Sequence, residues 1–274
     1  MDQRQTFLLT GCAGGIGRHL TSSLLARGHC VYATDINLVG LAREGREHGW
    51  PVDRTLLRQL DVRDPAAWAE AVEEACKAFG ELDVLVNIAG HMLAGWSHEA
   101  PAEEVDRHFD INAKGVIFGT QAAARRMVRQ GHGQIINIAS MAALAPIPGI
   151  ALYAASKHAV RAFSLACAQE LRPFGVYVPV ICPDAVDTPL LVPQMNLDAA
   201  ALVFSSPKLL SVEDLARCVI NHALTRRPAE IVLPAYRGWL AKLTNCIPSL
   251  AFYLGPFFRN RGLHHQSQLK SALK

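Results

Sequence analysis

The chain lacks several features that mark whole classes of protein. Lys and Arg form no long run, and the net charge is only +3 over 274 residues. That is too mild for the electrostatic footprint of a nucleic-acid binder, so no nucleic-acid partner is expected. The cysteines at positions 12, 30, 76, 167, 182, 218 and 246 contain no C-x-x-C pair. No Cys/His cluster has metal-ligand spacing, so no metal is expected. Most of these cysteines lie in apolar stretches, where a free thiol behaves as a small hydrophobe. That suits a reducing, cytoplasmic compartment. Near the start, only Thr6-Phe-Leu-Leu-Thr10 is apolar before glycines begin, too short for a signal-peptide core. Internal repeats, low-complexity tracts and Gly/Ser/Pro linkers are also missing. With 50% hydrophobic and 19% charged residues, the chain is neither disordered nor short of core material.

What is present alternates. Short apolar runs stand at Phe7–Thr10, Cys30–Thr34, Leu56–Leu60, Val84–Ile88, Gln134–Ile138, Val176–Ile181 and Ile231–Leu233. They are nearly continuously apolar, as parallel strands covered on both faces are. Helical patterns lie between them, near 16–27, 65–79, 101–130, 151–172 and 211–225. Alternation of this kind predicts right-handed βαβ units in one doubly wound α/β domain over residues 1–235. Its parallel sheet has about seven strands, with helices on both faces. Two segments break the rhythm: a Pro-bounded loop over 184–210, and an extension over 236–274.

The first strand runs into Thr10-Gly-Cys-Ala-Gly-Gly-Ile-Gly17, and a helix pattern follows. Glycines there let the backbone approach a phosphate, and the helix start offers free N–H groups and a positive dipole end. The second strand ends in Asp35, 18 residues after Gly17. That is near the ~20 expected of an acid that binds a ribose 2′-hydroxyl. A carboxylate there repels the 2′-phosphate of NADP, and Gly11–Gly17 holds no Lys or Arg to attract it. The pair favours NAD(H) over NADP(H). Taken alone, Asp35 also reads as a solvated residue at a strand end.

The spacing Thr-Gly-x-x-x-Gly-Ile-Gly resembles the glycine motif of the short-chain dehydrogenase/reductase family. Further residues match in the family's order: Asp61-Val62 after the third strand, Asn87-Ile-Ala-Gly90 after the fourth, and Asn112 in the long helix that follows. Ser140 ends Asn137-Ile-Ala-Ser140, Tyr153-Ala-Ala-Ser-Lys157 matches Tyr-x-x-x-Lys, and Pro183 and Thr188 follow the sixth strand. The resemblance covers roughly residues 5–235 and implies a Rossmann-type fold. It implies cofactor contacts at Gly11, Gly15, Ile16, Gly17, Asp35, Asp61, Val62, Asn87, Ala89, Gly90, Tyr153, Lys157, Pro183, Val186 and Thr188. It also implies a catalytic set of Asn112, Ser140, Tyr153 and Lys157, and a homodimer or homotetramer built on the helices near 101–130 and 151–172. Two positions depart from the pattern. Ile88 stands where the family has a second Asn, and Asp184 where it has Gly after Pro183.

Tyr153 and Lys157 are four apart and share a helix face. An ammonium beside a phenol favours the phenolate, so Tyr153 is expected to work as acid or base at a substrate oxygen. Ser140 can hold that oxygen by a hydrogen bond. In the family, Lys157 also binds the nicotinamide ribose, and Asn112 organises a water leading to it. Individually these residues have ordinary readings, as packing, a solvated charge, a helix cap and a satisfied polar group. Complete and in order beside the glycine motif, they point to an oxidoreductase that interconverts a secondary alcohol and a ketone. The alternative is a relative that keeps the cofactor site but binds or regulates.

The loop over 184–210 carries Val186, Leu190, Leu191, Val192, Met195, Leu197, Leu202, Val203 and Phe204, with Lys208 as its one basic residue. Met92, Leu93, Trp96 and Leu144–Ile150 are expected nearby. This lining suits an apolar steroid-, lipid- or polyketide-like substrate, unless the residues merely pack the loop onto the body. His91 follows the Asn-Ile-Ala-Gly turn and reads either as a cofactor contact or as an incidental loop residue. In the extension, no charged side chain occurs from Leu243 to Phe258. As a membrane span the run is too short and is broken by Pro248, Gly255 and Pro256. A cover over the substrate mouth or a subunit contact needs no membrane and is preferred. A helix lying in a membrane interface through 237–261 remains the competing reading, flanked by Arg237, Lys242, Arg259 and Arg261.

Overall fold

A computed structural model describes residues 4–272. The strands are β1 (Thr6–Leu9), β2 (Cys30–Asp35), β3 (Thr55–Gln59), β4 (Val84–Asn87), β5 (Gly133–Ile138), β6 (Val176–Tyr177), β7 (Val180–Pro183) and β8 (Glu230–Leu233). They form one sheet in the order β3-β2-β1-β4-β5-β7-β8, with β6 also paired to β5. Every pairing is parallel. The expected strand over 176–181 is split. Its first part pairs with Gly133 and Gln134, its second with Asn137 and Ile138. The break falls at Val178-Pro179, where Pro179 has no N–H to give a ladder.

The helices are α1 (Gly15–Ala26), α2 (Leu38–Glu47), α3 (Pro65–Phe79), α4 (Ala102–His108), α5 (Gly115–Gln130), α6 (Ala151–Leu171), α7 (Val212–Cys218), α8 (Leu224–Arg226), α9 (Ala235–Cys246) and α10 (Pro248–Ala272). Local chemistry sets several starts. The Asp64 side chain accepts from the N–H groups of Ala66 and Ala67, and Pro65 occupies the first position of α3. Ser211 and Asp214 close a reciprocal cap on α7. The expected helix over 101–130 forms, with one wide π-type turn, Phe109–Lys114, between α4 and α5. The apolar pattern of the sequence gives no sign of α2. That helix buries only Gly40, Leu41 and Glu44, so it carries little apolar period, and Asn37 starts it by accepting from the Gly40 N–H.

Two apolar layers sandwich the sheet. Phe7, Leu9, Val31, Val84 and Ile136 face one way with Leu20 and Leu24 of α1 and Leu215 of α7. Leu8, Tyr32, Leu85 and Ile135 face the other with Trp68 of α3 and Met127 of α5. After β3 the chain returns across β1 to form β4 on its other side, so the winding direction reverses between β1 and β4. A doubly wound sheet opens a crevice at the carboxyl ends of its strands beside that point. The loops from β1, β2, β4, β5 and β7 all end there.

Candidate active site

One cavity of about 690 Å³ lies over the carboxyl ends of the strands. Its lining includes Gly11, Gly15, Ile16, Gly17, Asp35, Ala89, Gly90, Tyr153, Lys157, Pro183, Val186 and Thr188. The fold thus brings together most of the residues singled out from the sequence. Gly17 has no room for a side chain, because a Cβ there would sit 2.2 Å from the Gly11 carbonyl oxygen. Gly11 itself holds a left-handed φ of +70°. Thr10 fixes the neighbouring turn, its hydroxyl accepting from the N–H groups of Ile88 and Ala89 at 2.9 and 3.0 Å. Asp35 accepts from the Ala13 N–H at 2.9 Å and from the Asn37 N–H at 2.9 Å. Its carboxylate is thereby held at the end of β2, bordering the cavity.

Four singled-out residues do not line the cavity. Asp61 is turned to Arg63, whose side-chain hydrogen bonds hold its carboxyl below the usual range against a smaller opposing effect of burial. The Val62 carbonyl accepts from the Trp68 indole at 3.0 Å, and its side chain packs on Gly115. The Asn87 amide donates to Asn137 at 2.8 Å, part of a buried polar row whose next link runs from Asn137 to Ser164 at 2.9 Å. That row binds β4 and β5 to α6, and sequence spacing carried no sign of it. Asn112 is fully buried in the wide turn. It accepts from the His91 N–H at 2.7 Å and donates to the His91 carbonyl at 2.8 Å and the Ser156 hydroxyl at 3.0 Å. Its side chain therefore clamps the loop after β4 to α6 and leaves no amide proton for another partner.

Ser140, Tyr153 and Lys157 do meet at the cavity. Ser140 lies two residues past the β5 end, and its hydroxyl oxygen accepts from the Ala142 N–H at 3.1 Å, a bond that does not use its proton. Lys157 is buried, donates to the Ile138 carbonyl at 3.0 Å and lies 5.7 Å from the centre of the Tyr153 ring. In the protein alone burial dominates both groups. It pushes the Tyr153 phenol up to about 12, against a smaller lowering by Ser140, and brings the Lys157 ammonium down to about 8. The expected lowering of the phenol by Lys157 is not seen in the protein alone: desolvation sets the direction, and only Ser140 opposes it, an effect invisible in the four-residue spacing.

Apolar side chains of Met92, Met141, Ile147, Ile150, Leu191, Leu202 and Val203 also line the cavity. Leu93 and Trp96 are instead exposed. Gln194, fully buried, staples the loop in place. Its amide donates to the Met92 carbonyl at 2.8 Å, and its oxygen accepts from the Ala94 N–H at 2.9 Å. The extension completes the wall through Leu240, Thr244, Pro248, Ala251, Leu254 and Phe258 of α9 and α10. Gln266 of α10 donates to the carbonyls of Gln194 and Leu197, both at 3.0 Å. The departure at Asp184 has its partner here. Arg237 of α9 sets Nε 2.7 Å from Asp184 Oδ2, an ion pair whose N–H does not point at the oxygen. Arg237 also donates to the Ser205 hydroxyl at 3.0 Å. No helix among the described residues is long and apolar enough to cross a membrane.

His91 turns away from the cavity. It pairs with Glu104 at 2.9 Å, and with His108 these three place ligand-type atoms within 4.8 Å of one another. The sequence showed no such spacing. Both His108 nitrogens are engaged, one donating to the Glu104 carbonyl at 2.7 Å and the other accepting from the Leu93 N–H at 3.3 Å. Burial keeps that imidazole neutral by lowering its pKa. The cluster ties α4 to the loop after β4.

Comparison with known proteins places this architecture. Residues 5–196 match the short chain dehydrogenase family. The 2-(R)-hydroxypropyl-CoM dehydrogenase of Xanthobacter autotrophicus is 32% identical over 228 residues, covering 76% of this chain and 91% of that protein. The 3-alpha-(or 20-beta)-hydroxysteroid dehydrogenase of Mycobacterium tuberculosis is 38% identical over 184 residues, covering 67% and 69%. A short chain dehydrogenase/reductase from Burkholderia phymatum, solved in complex with NAD, superposes with a TM-score of 0.82 at 24% identity, over 90% of this chain and 95% of that one. The family match, the curated relatives and the shared fold agree: this chain belongs to the short-chain dehydrogenase family.

Proposed function

We propose that the protein is an NAD-dependent oxidoreductase that interconverts an apolar secondary alcohol and its ketone. One observation carries the reading: the glycine loop, Asp35, Ser140, Tyr153 and Lys157 all border a single cavity whose other half is apolar. The cradle suits a dinucleotide, since the absence of a side chain at Gly17 lets the start of α1 pack directly on the Gly11 carbonyl, with both glycines bordering the cavity. Gly11, Gly15, Ile16 and Gly17 would hold the phosphates, Asp35 a ribose hydroxyl, and Ala89, Gly90, Pro183, Val186 and Thr188 the remainder. When bound, a nicotinamide dinucleotide supplies the acceptor or donor of hydride.

The chain's own residues do the rest. Ser140 donates its free hydroxyl proton to the substrate oxygen. Tyr153 takes the alcohol proton at that oxygen during oxidation, or gives one during reduction. Lys157 carries the positive charge that favours the phenolate against desolvation. The Ile147, Leu191 and Val203 side excludes water and accepts an apolar skeleton. The test is absorbance of NAD(H) over a panel of apolar alcohols and ketones, with Tyr153→Phe beside the natural chain. Turnover should fall by at least about a hundredfold, the usual contribution of a positioned acid–base group, while cofactor affinity holds. Near-normal kcat in Tyr153→Phe refutes the assignment.

A further inference from the structure

α9 and α10 are apolar on two sides, and only one side is used. Toward the cavity they present Leu240, Thr244, Ala251 and Phe258. The outward side carries Tyr236, Trp239 and Leu243 along α9, Ile247 just past its end, and then Phe252, Tyr253 and Phe257 along the first half of α10. Trp239 is 76% exposed, Phe252 83%, Tyr253 82% and Phe257 63%. The α9 positions recur at helical spacing and form one stripe. Past Phe257 the outward side turns polar, with Asn260, His264 and Gln268. Helices that are apolar all round are ordinarily enclosed. A soluble surface seldom leaves such a patch bare unless something covers it.

Charge decides what covers it. From Ile231 to Lys274 there is no Asp or Glu, against Arg237, Lys242, Arg259, Arg261, Lys270 and Lys274. Arg237 and Lys242 are engaged inward, with Asp184 and Glu230. Arg259 follows the aromatic stretch directly, one helical turn from Pro256. Two copies joined through this face would set cations against cations. An anionic surface would meet them favourably, and Trp and Tyr side chains suit the headgroup layer. The close fit of α10 on the substrate loop keeps the face rigid, since a Cβ on Gly262 would lie 1.8 Å from the Ala201 carbonyl oxygen.

We propose that the outward face of α9 and the first half of α10 docks on an anionic lipid surface, which puts the cavity mouth at the membrane. Phe252, at once exposed and part of the cavity wall, marks the passage between lipid and site. The substrate class this implies, an apolar alcohol or ketone dissolved in lipid, rests on the oxidoreductase reading, whereas the docking does not. The helices lie in the interface, and no helix among the described residues is long and apolar enough to span the bilayer.

The full-length protein is tested by co-sedimentation with phosphatidylcholine vesicles, with and without phosphatidylserine. It should bind the anionic vesicles and release them as salt rises. Trp239→Ser, Tyr253→Ser and Phe257→Ser together should weaken binding by at least about tenfold, since burying one such side chain is already worth that much. Arg259→Glu with Arg261→Glu should remove the preference for phosphatidylserine, each cation contributing about fivefold. Both variants should keep wild-type turnover of a water-soluble ketone without vesicles, which shows that they fold. The proposal is overturned if the natural chain ignores anionic vesicles, or if the aromatic variant sediments unchanged. It is also overturned if that substitution alters the oligomeric mass rather than lipid binding, which assigns the face to a second copy. Turnover without vesicle binding refutes docking alone, and binding without turnover of any substrate refutes the oxidoreductase reading alone.

Discussion

Replacing Arg237 with Met tests whether charge locks the extension to the loop after β7. Arg237 is the cation that faces Asp184, and the two side chains are 18% and 10% exposed. The substitution keeps most of the stem's bulk and leaves the carboxylate buried without a counter-charge. Breaking a fully buried pair in this way costs about 3–5 kcal/mol. Here the pair borders an open cavity and the N–H is misaligned with the oxygen, so about 2 kcal/mol is the better figure. For a chain of this size that lowers Tm by about 4–8 °C. Burial already holds the Asp184 carboxyl above the ordinary carboxylate range, with Arg237 as the main opposing influence. Without Arg237 it rises further. A carboxyl raised by folding takes its proton more readily in the folded chain. Its contribution therefore favours folding at low pH and is lost as pH rises through the folded value. The deficit of the variant should be largest at neutral pH and shrink toward acid. Thermal melts across that range measure it directly. Adding Asp184→Gly, the residue of the family pattern, should restore much of the loss. A deficit independent of pH, or no recovery in the double variant, would show that Arg237 acts through packing alone.

Three further outcomes are expected. Lys157→Met should stabilise the cofactor-free protein below pH about 8, because burial lowers this ammonium and its charge opposes folding there. The gain should vanish as the lysine of the unfolded chain also deprotonates, and melts showing a loss at neutral pH would refute the sign. Asp35→Ala should weaken NAD binding by about tenfold or more, the worth of a hydrogen bond to a charged group, and narrow the gap to NADP. Calorimetry that finds NADP bound more tightly by the natural chain overturns the NAD assignment. Gly262→Ala must push α10 off the Ala201 carbonyl, so KM for an apolar substrate should rise while cofactor affinity stays unchanged; an unaltered KM would mean that α10 forms no part of the site.

Much of this molecule was legible in the chain itself. A glycine needed for close approach, an acid at the end of β2 and a Tyr four residues before a Lys are local patterns, and alternating apolar runs predict a parallel sheet. Each depends on neighbours along the sequence, so the sequence alone determined the fold class and the residues around the glycine loop, Ser140, Tyr153 and Lys157. α2 escaped because a helix that buries three residues leaves no period to read. The remaining decisions needed three dimensions. Asn112 and Asn87 look alike in a motif, yet both spend their amides on internal clamps with partners at least 21 residues away. Asp184 reads as an anomaly until Arg237 is set beside it across 53 positions. Tyr153 and Lys157 have their proton affinities set by burial, which packing controls and spacing does not report. The extension shows the limit most clearly. Its apolar run is plain in the sequence, but which side faces the cavity and which faces outward is settled only when α10 closes on the 184–210 loop, because helix faces acquire meaning from what they are packed against.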